Sequence, residues 1–197
     1  MKQTLTAILL ASACLVASAA PQEVAPPGFA QARQQFTAGL AGDGSARDAA
    51  IASFKTLAAS HPGHPLLAAY GGAATSLKGR DAFLPWEKMK HAENGADAIE
   101  KALARLTPDH DEALFGGTPE SVETRLVAAT SLLALPDFLN RRASGLRALD
   151  AAIKSPAFAL APQPVRARLL ALAARHGAAQ SGASQANTQA EPKEQGQ

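Results

Sequence analysis

A single amphipathic stretch, Leu84 to Leu106 (LPWEKMKHAENGADAIEKALARL), places the tightest constraint on what this chain can become. Met89, Ala92, Ala96, Ile99, Leu103 and Leu106 recur at spacings of three and four, the seam of a helix packed against other helices. Glu87, Lys88, Glu93, Asp97, Glu100, Lys101 and Arg105 fall mostly on the remaining faces, so one side is dry and the other wet. Pro85 opens the helix beside Trp86, the only tryptophan. A tryptophan next to a helix-opening proline is expected to pack down on the preceding helix. The Asn94-Gly95 pair in the middle costs about 1 kcal/mol relative to alanine, which predicts a bend or a division there.

The remainder of the composition agrees with a helical reading. Of 197 residues 47% are apolar, enough for one ordinary domain with a real core, and a formal charge of +2 excludes polyanionic character. Alanine and leucine dominate while β-branched and aromatic residues are sparse, the balance of helices that approach closely through small side chains. No strand is expected anywhere.

Met1 to Ala20 has the anatomy of a cleaved secretory signal. Lys2 supplies the charged start, Leu5 to Val16 the apolar run, and Ala17-Ser18-Ala19 the small residues before Pro21, with cleavage after Ala19 or Ala20. The apolar run is too short to span a bilayer comfortably. The alternative is lipidation at Cys14, although Ala11 stands where a bacterial lipoprotein signal usually carries leucine. Cys14 is the only cysteine, so a mature chain starting after Ala20 can hold no disulfide, thiolate metal site or cysteine nucleophile. The expected location is the periplasm, and nucleic acid is therefore not an expected partner.

Proline and glycine punctuate the rest. Residues 21–28, rich in proline, read as an extended leader. A first helix covers Phe29 to Leu40, a second starts at a capping box formed by Ser45 and Asp48, and His61-Pro62-Gly63-His64-Pro65 stops it. A third helix spans Leu66 to Leu77. Thr107-Pro108 opens a short acidic turn running to Phe115, and Thr118-Pro119-Glu120 starts a helix with the stripe Val122, Leu126, Ala129 and Leu133. Helices over Gly145–Lys154 and Pro164–His176 follow. The α-helical domain is thus placed at 29–176, with a disordered tail over 177–197, where apolar periodicity disappears.

Ala50-Ile51-Ala52-Ser53-Phe54 followed by Pro62 resembles the alanine, aromatic and proline positions in the second helix of a tetratricopeptide repeat, with Gly72 as the glycine of the next first helix. Ile99, Ala102 and Pro108 give a second approximate match, and Ala148, Ala151 and Pro156 a third. The tryptophan, leucine and tyrosine that mark the first helix of such repeats are missing. The resemblance implies an all-α array of antiparallel helix pairs; a non-repetitive helical bundle is the alternative.

Chemistry is sparse. His61, His64, His110, Asp109, Asp111 and Glu112 are metal-ligand types, but the first two histidines flank a Pro-Gly turn and the carboxylates suit a helix start. No catalytic motif is present, so no catalytic residue and no cofactor is assigned. Between Asp81 and Glu120 nine acidic residues face four basic ones, whereas Ser121 to His176 holds eight basic and three acidic. The two halves can complement each other across an interface. Otherwise Arg125, Arg141, Arg142 and Arg147, with Trp86, form a candidate face for an acidic peptide, a lipid headgroup or a glycan. The expected function is non-catalytic binding of a protein or peptide partner in the cell envelope. A metal-binding protein using His61, His64 and His110 is the alternative, and a helical hydrolase stands third.

Overall fold

The computed structural model describes residues 21–189, with side chains described through residue 177. The expected signal segment with Cys14, and residues 190–197 of the expected tail, lie outside the described residues. The chain is all-α, with α1 at Phe29–Leu40, α2 at Gly44–Ser60, α3 at Pro65–Asp81, α4 at Pro85–Leu103, α5 at Glu120–Leu133, α6 at Arg142–Lys154 and α7 at Gln163–Gln189. Connections of three or four residues join α1 to α2, α2 to α3 and α3 to α4, which makes these pairs antiparallel neighbours. Gly39 at the end of α1 meets Arg47 at the start of α2, and Gly145 near the start of α6 meets Leu133 at the end of α5.

Local chemistry explains most boundaries. Gly42, at φ 110°, makes the turn after α1, and the cap of α2 is Asp43 rather than Ser45: its Oδ1 accepts from the N–H groups of Ser45 and Ala46 at 2.9 Å. Asp48, expected as the capping-box partner, pairs instead with Arg47 and Lys78. Prolines open α3 and α4, where a missing N–H costs nothing. The helix of α7 runs on to Gln189, past His176, where a disordered tail was expected to begin.

Asn94-Gly95 does not divide α4. The helix is continuous, and its glycine is where α4 crosses α3: an added Cβ at Gly95 would meet Gly72 and Ser76, and one at Gly79 would meet the carbonyl oxygen of Lys88. Backbones this close require residues without side chains at the crossing.

The expectation of no strand fails at one place. Gln22–Glu23 (β1) pairs in parallel with Ala113–Phe115 (β2), which turns through Gly116-Gly117 into Thr118–Pro119 (β3). The leader is therefore docked rather than free, and Pro26 is buried. Glu23 fastens it: the carboxylate accepts from the N–H groups of Gly116 and Gly117 at 3.0 Å each. Burial alone would raise its pKa, but those donors, that of Ala25 and the charge of Arg33 outweigh it and hold the carboxyl below its usual value. The acidic turn before β2 is a 3-10 turn, Pro108–Asp111.

The most enclosed element is α5, not the amphipathic α4. Of its first ten residues only Arg125 escapes full burial. Two carboxylates go inside with it, and both find partners on α3. Glu120, with no exposed surface, accepts from the Leu66 N–H at 3.1 Å and meets His64 Nδ1 at 2.9 Å, which places negative charge at the start of α3. Glu123 accepts from the Tyr70 hydroxyl at 2.5 Å. Around these contacts lies an aromatic cluster in which Phe54 stacks on Tyr70 at 4.9 Å and Phe29 meets Tyr70 and Phe115 edge-on.

Candidate binding groove

Four helices that pack through alanine and glycine leave a gap where their side chains are too short to close it. α1, α3, the first turns of α4 and α5 from Glu123 to Ser131 surround a cavity of about 920 Å³, bordered also by Ala134, Leu135, Pro136, Phe138 and Leu139 and touched by Arg168 of α7. Its floor is Tyr70, Ala73, Leu126 and Val127, with most of the lining apolar. Its rim carries Leu40, Met89 and Phe138, which are 45%, 45% and 68% exposed. Met89 was expected in the buried seam of α4; the seam instead begins at Ala92, and Met89 turns to the groove.

Trp86 corrects the sequence reading. It is 64% exposed and does not pack down on α3, and Phe83 in the preceding turn is 89% exposed. Pro85 between them lines the groove, so an apolar prow adjoins its mouth.

The polar groups inside are few. Tyr70 and Glu123 close on one another at the floor, and burial first, then the Glu123 charge, pushes the phenol pKa well above its usual value. Arg80 is committed to structure: it donates to the carbonyl oxygens of Gly39 and Leu40 and pairs with Asp81, tying the end of α3 to the end of α1. Asp81 also pairs with Arg47; the hydrogen bond from Arg80 is the leading reason its carboxyl sits below the usual range. Arg33, Lys88 and Arg168 line the groove without an ion pair to any described residue; Arg33 lies over the Phe29 ring at 5.7 Å.

No family model, curated protein or solved structure matches the chain. Its reading therefore rests on its own geometry.

The basic face expected from the sequence is partly consumed by the fold. Arg141 pairs with Asp97 at 2.7 Å and with Glu100, both on α4. Arg125 stands 3.9 Å from Asp111, and Arg147 donates to Ser144. Arg125 and Arg147 share an open depression with Glu100, while Arg142 is half-buried with no ion pair among the described residues. Complementation between the acidic and basic halves thus accounts for Arg141 and Arg125.

The histidines are similarly engaged. His64 meets Glu120; the Thr107 N–H donates to His110 Nδ1 at 2.9 Å, which leaves Nε2 protonated to donate to the Gly63 carbonyl oxygen at 3.1 Å. Among the described residues no group of three or more His, Cys, Asp or Glu side chains is placed to hold a metal ion. Of the residues compared with tetratricopeptide positions, Ala50, Phe54, Ile99, Ala102 and Ala148 are buried, as they would be in any packed helical bundle, whereas Ala151 is exposed and Ala152 is buried.

The groove residues Arg33, Tyr70, Lys88, Glu123 and Arg168 escaped the sequence reading. Tyr70 is the only tyrosine, which was a usable signal. The others look like ordinary solvated or helix-start charges, because nothing local shows that five separate elements bring them together.

Proposed function

We propose that this is a non-catalytic binding protein of the cell envelope, exported by its N-terminal signal, whose groove receives an apolar segment of a protein or peptide partner. The observation that carries this reading is the rim: Leu40, Met89 and Phe138 stand exposed around an apolar cavity, with Phe83 and Trp86 beside it. Contiguous apolar surface of this kind marks an interaction site, and a cleft between helices is where a partner segment lays its apolar face. Antiparallel helix pairs in series, as in a tetratricopeptide-like array, are a scaffold suited to presenting such a cleft. The titratable pair inside, Tyr70 and Glu123, is bonded to itself, which supports holding rather than chemistry.

Photo-crosslinking side chains placed at Met89, Phe138 and Arg147 of the mature protein test this reading in envelope extract. The expected result is a polypeptide adduct from Met89 and Phe138 only, mapping to an apolar segment of the partner. An adduct from Arg147 alone would return the site to the basic face.

A further inference from the structure

Three helices finish, and a fourth begins, at one end of the domain. Glu120 meets Leu66 and Glu123 meets Tyr70, so α5 runs in the same direction as α3 and finishes at the same end. Arg80 donates to the carbonyl oxygens of Gly39 and Leu40, which brings the end of α1 there too, and the turn into α4 follows at once. Of the seven large apolar side chains exposed among the described residues, five belong to this end: Leu40, Phe83, Trp86, Met89 and Phe138. Leu160, beyond the far end of α6, belongs to the opposite one.

The most exposed part is the corner where α3 passes into α4. Residues 85–90 are exposed on every side of the helix, and its own chain covers almost none of Phe83. At about 100° per residue, Pro85, Met89 and Trp86 share one arc of α4; Lys88 borders that arc on one side and Lys90 on the other, with Glu87 beyond Lys90. Residues 78–91 hold four basic and two acidic side chains. Of the two acids, Asp81 is already paired with Arg47 and Arg80, whereas the Lys88 and Lys90 side chains have no ion pair or hydrogen bond among the described residues.

We propose that this corner docks on an anionic lipid bilayer, with Phe83 and Trp86 entering the headgroup region and Lys88 and Lys90 meeting lipid phosphates on either side. An apolar arc holding a tryptophan and bordered by lysines is the pattern by which a helix turn seats in a membrane interface. A protein pocket must order a side chain as unsupported as Phe83 at a cost in entropy, whereas fluid lipid accepts the ring in any rotamer. Two unpaired cations against Glu87 match the negative surface of such a bilayer. Phe138 has Asp137 beside it and stays with the groove rim. No described helix is long and apolar enough to cross a membrane, so these residues touch the bilayer at its surface. Because Pro85 and Met89 also line the groove, its mouth then opens at the lipid.

Co-sedimentation of the mature protein with vesicles tests the proposal, using phosphatidylcholine alone and an equimolar mixture with phosphatidylglycerol. The mixed vesicles should bind the protein, blue-shift Trp86 emission and, when their acyl chains are brominated, quench it; salt should weaken the binding. Phe83→Ser with Trp86→Ser should reduce binding about tenfold or more. Lys88→Gln and Lys90→Gln should each cost about fivefold on the mixed vesicles, and Leu160→Ser should cost nothing, with thermal melts checking that every variant folds. Absence of binding to the mixed vesicles, or binding that survives loss of both aromatics, overturns the proposal. A photo-crosslinking side chain at Phe83 that captures another protein or a second copy of this chain while vesicles stay unbound makes the corner a protein surface and overturns it as well. Adducts at Met89 and Phe138 are read separately, so the groove reading stands or falls on its own.

Discussion

Gly95 of α4 lies against Gly72 of α3 so closely that a Cβ on Gly95 would stand 2.5 Å from the Gly72 carbonyl oxygen. The contact inverts the usual arithmetic of a helical glycine. Gly→Ala normally gains about 1 kcal/mol inside a helix, but here the added methyl meets backbone that cannot step aside. Gly95→Ala is expected to destabilise by about 2 kcal/mol, as overpacking does. Denaturant melts read the sign directly, and a stabilised variant would show that the two helices separate easily.

Glu120 is expected to be among the costliest surface-type residues to remove. Glu120→Ala strips the acceptor from the Leu66 N–H and from His64 Nδ1, in a site with no exposed surface. A loss of about 2 kcal/mol should follow in equilibrium unfolding, since the Leu66 N–H stays buried and unmatched while the His64 side chain, 27% exposed, can turn to water. A loss below about 0.5 kcal/mol, the range of ordinary surface substitutions, would mean that water reaches the site.

Trp86, the only tryptophan, makes emission an unambiguous probe. At 64% exposure its native emission should resemble that of free indole. Trp86→Ala should change stability by no more than about 0.5 kcal/mol. Titration with a synthetic amphipathic peptide bearing a leucine stripe should blue-shift the emission, because Trp86 adjoins the groove that receives it.

Tyr70, the only tyrosine, makes phenolate absorbance equally specific. Its folded pKa lies well above the ordinary value of about 10, because of burial and then Glu123. The folded chain therefore holds this proton more tightly than the unfolded chain. The associated stability is complete below about pH 10 and is lost as pH rises from there toward the folded pKa. An alkaline titration should show the phenolate appearing together with unfolding. Tyr70→Phe should abolish that alkaline limb while costing about 1 to 2 kcal/mol, because Glu123 loses its donor. Titration of Tyr70 at its ordinary pKa in a folded chain would contradict the burial.

The sequence by itself determined the helical class and most helix boundaries, because these are set within a few residues: Pro85 opens one helix, the run from His61 to Pro65 stops another, and Gly42 turns the chain locally. It also determined which residues of α2 and the middle of α4 face inward, since Phe54 and Ile99 obey a period that a single helix carries. Tertiary structure alone decided what those helices enclose. Asn94-Gly95 reads as a weak point until α3 is laid across it. Glu120 and Glu123 read as helix-start charges until α3 supplies Leu66, His64 and Tyr70. The two-residue strand Gln22–Glu23 is too short to show a pattern and exists because Glu23 reaches a turn more than ninety residues away. Trp86 and Met89 sit on a face whose burial depends on whether another helix covers it, and no described helix does. The groove is the space left between separate elements, and no single segment encodes a space.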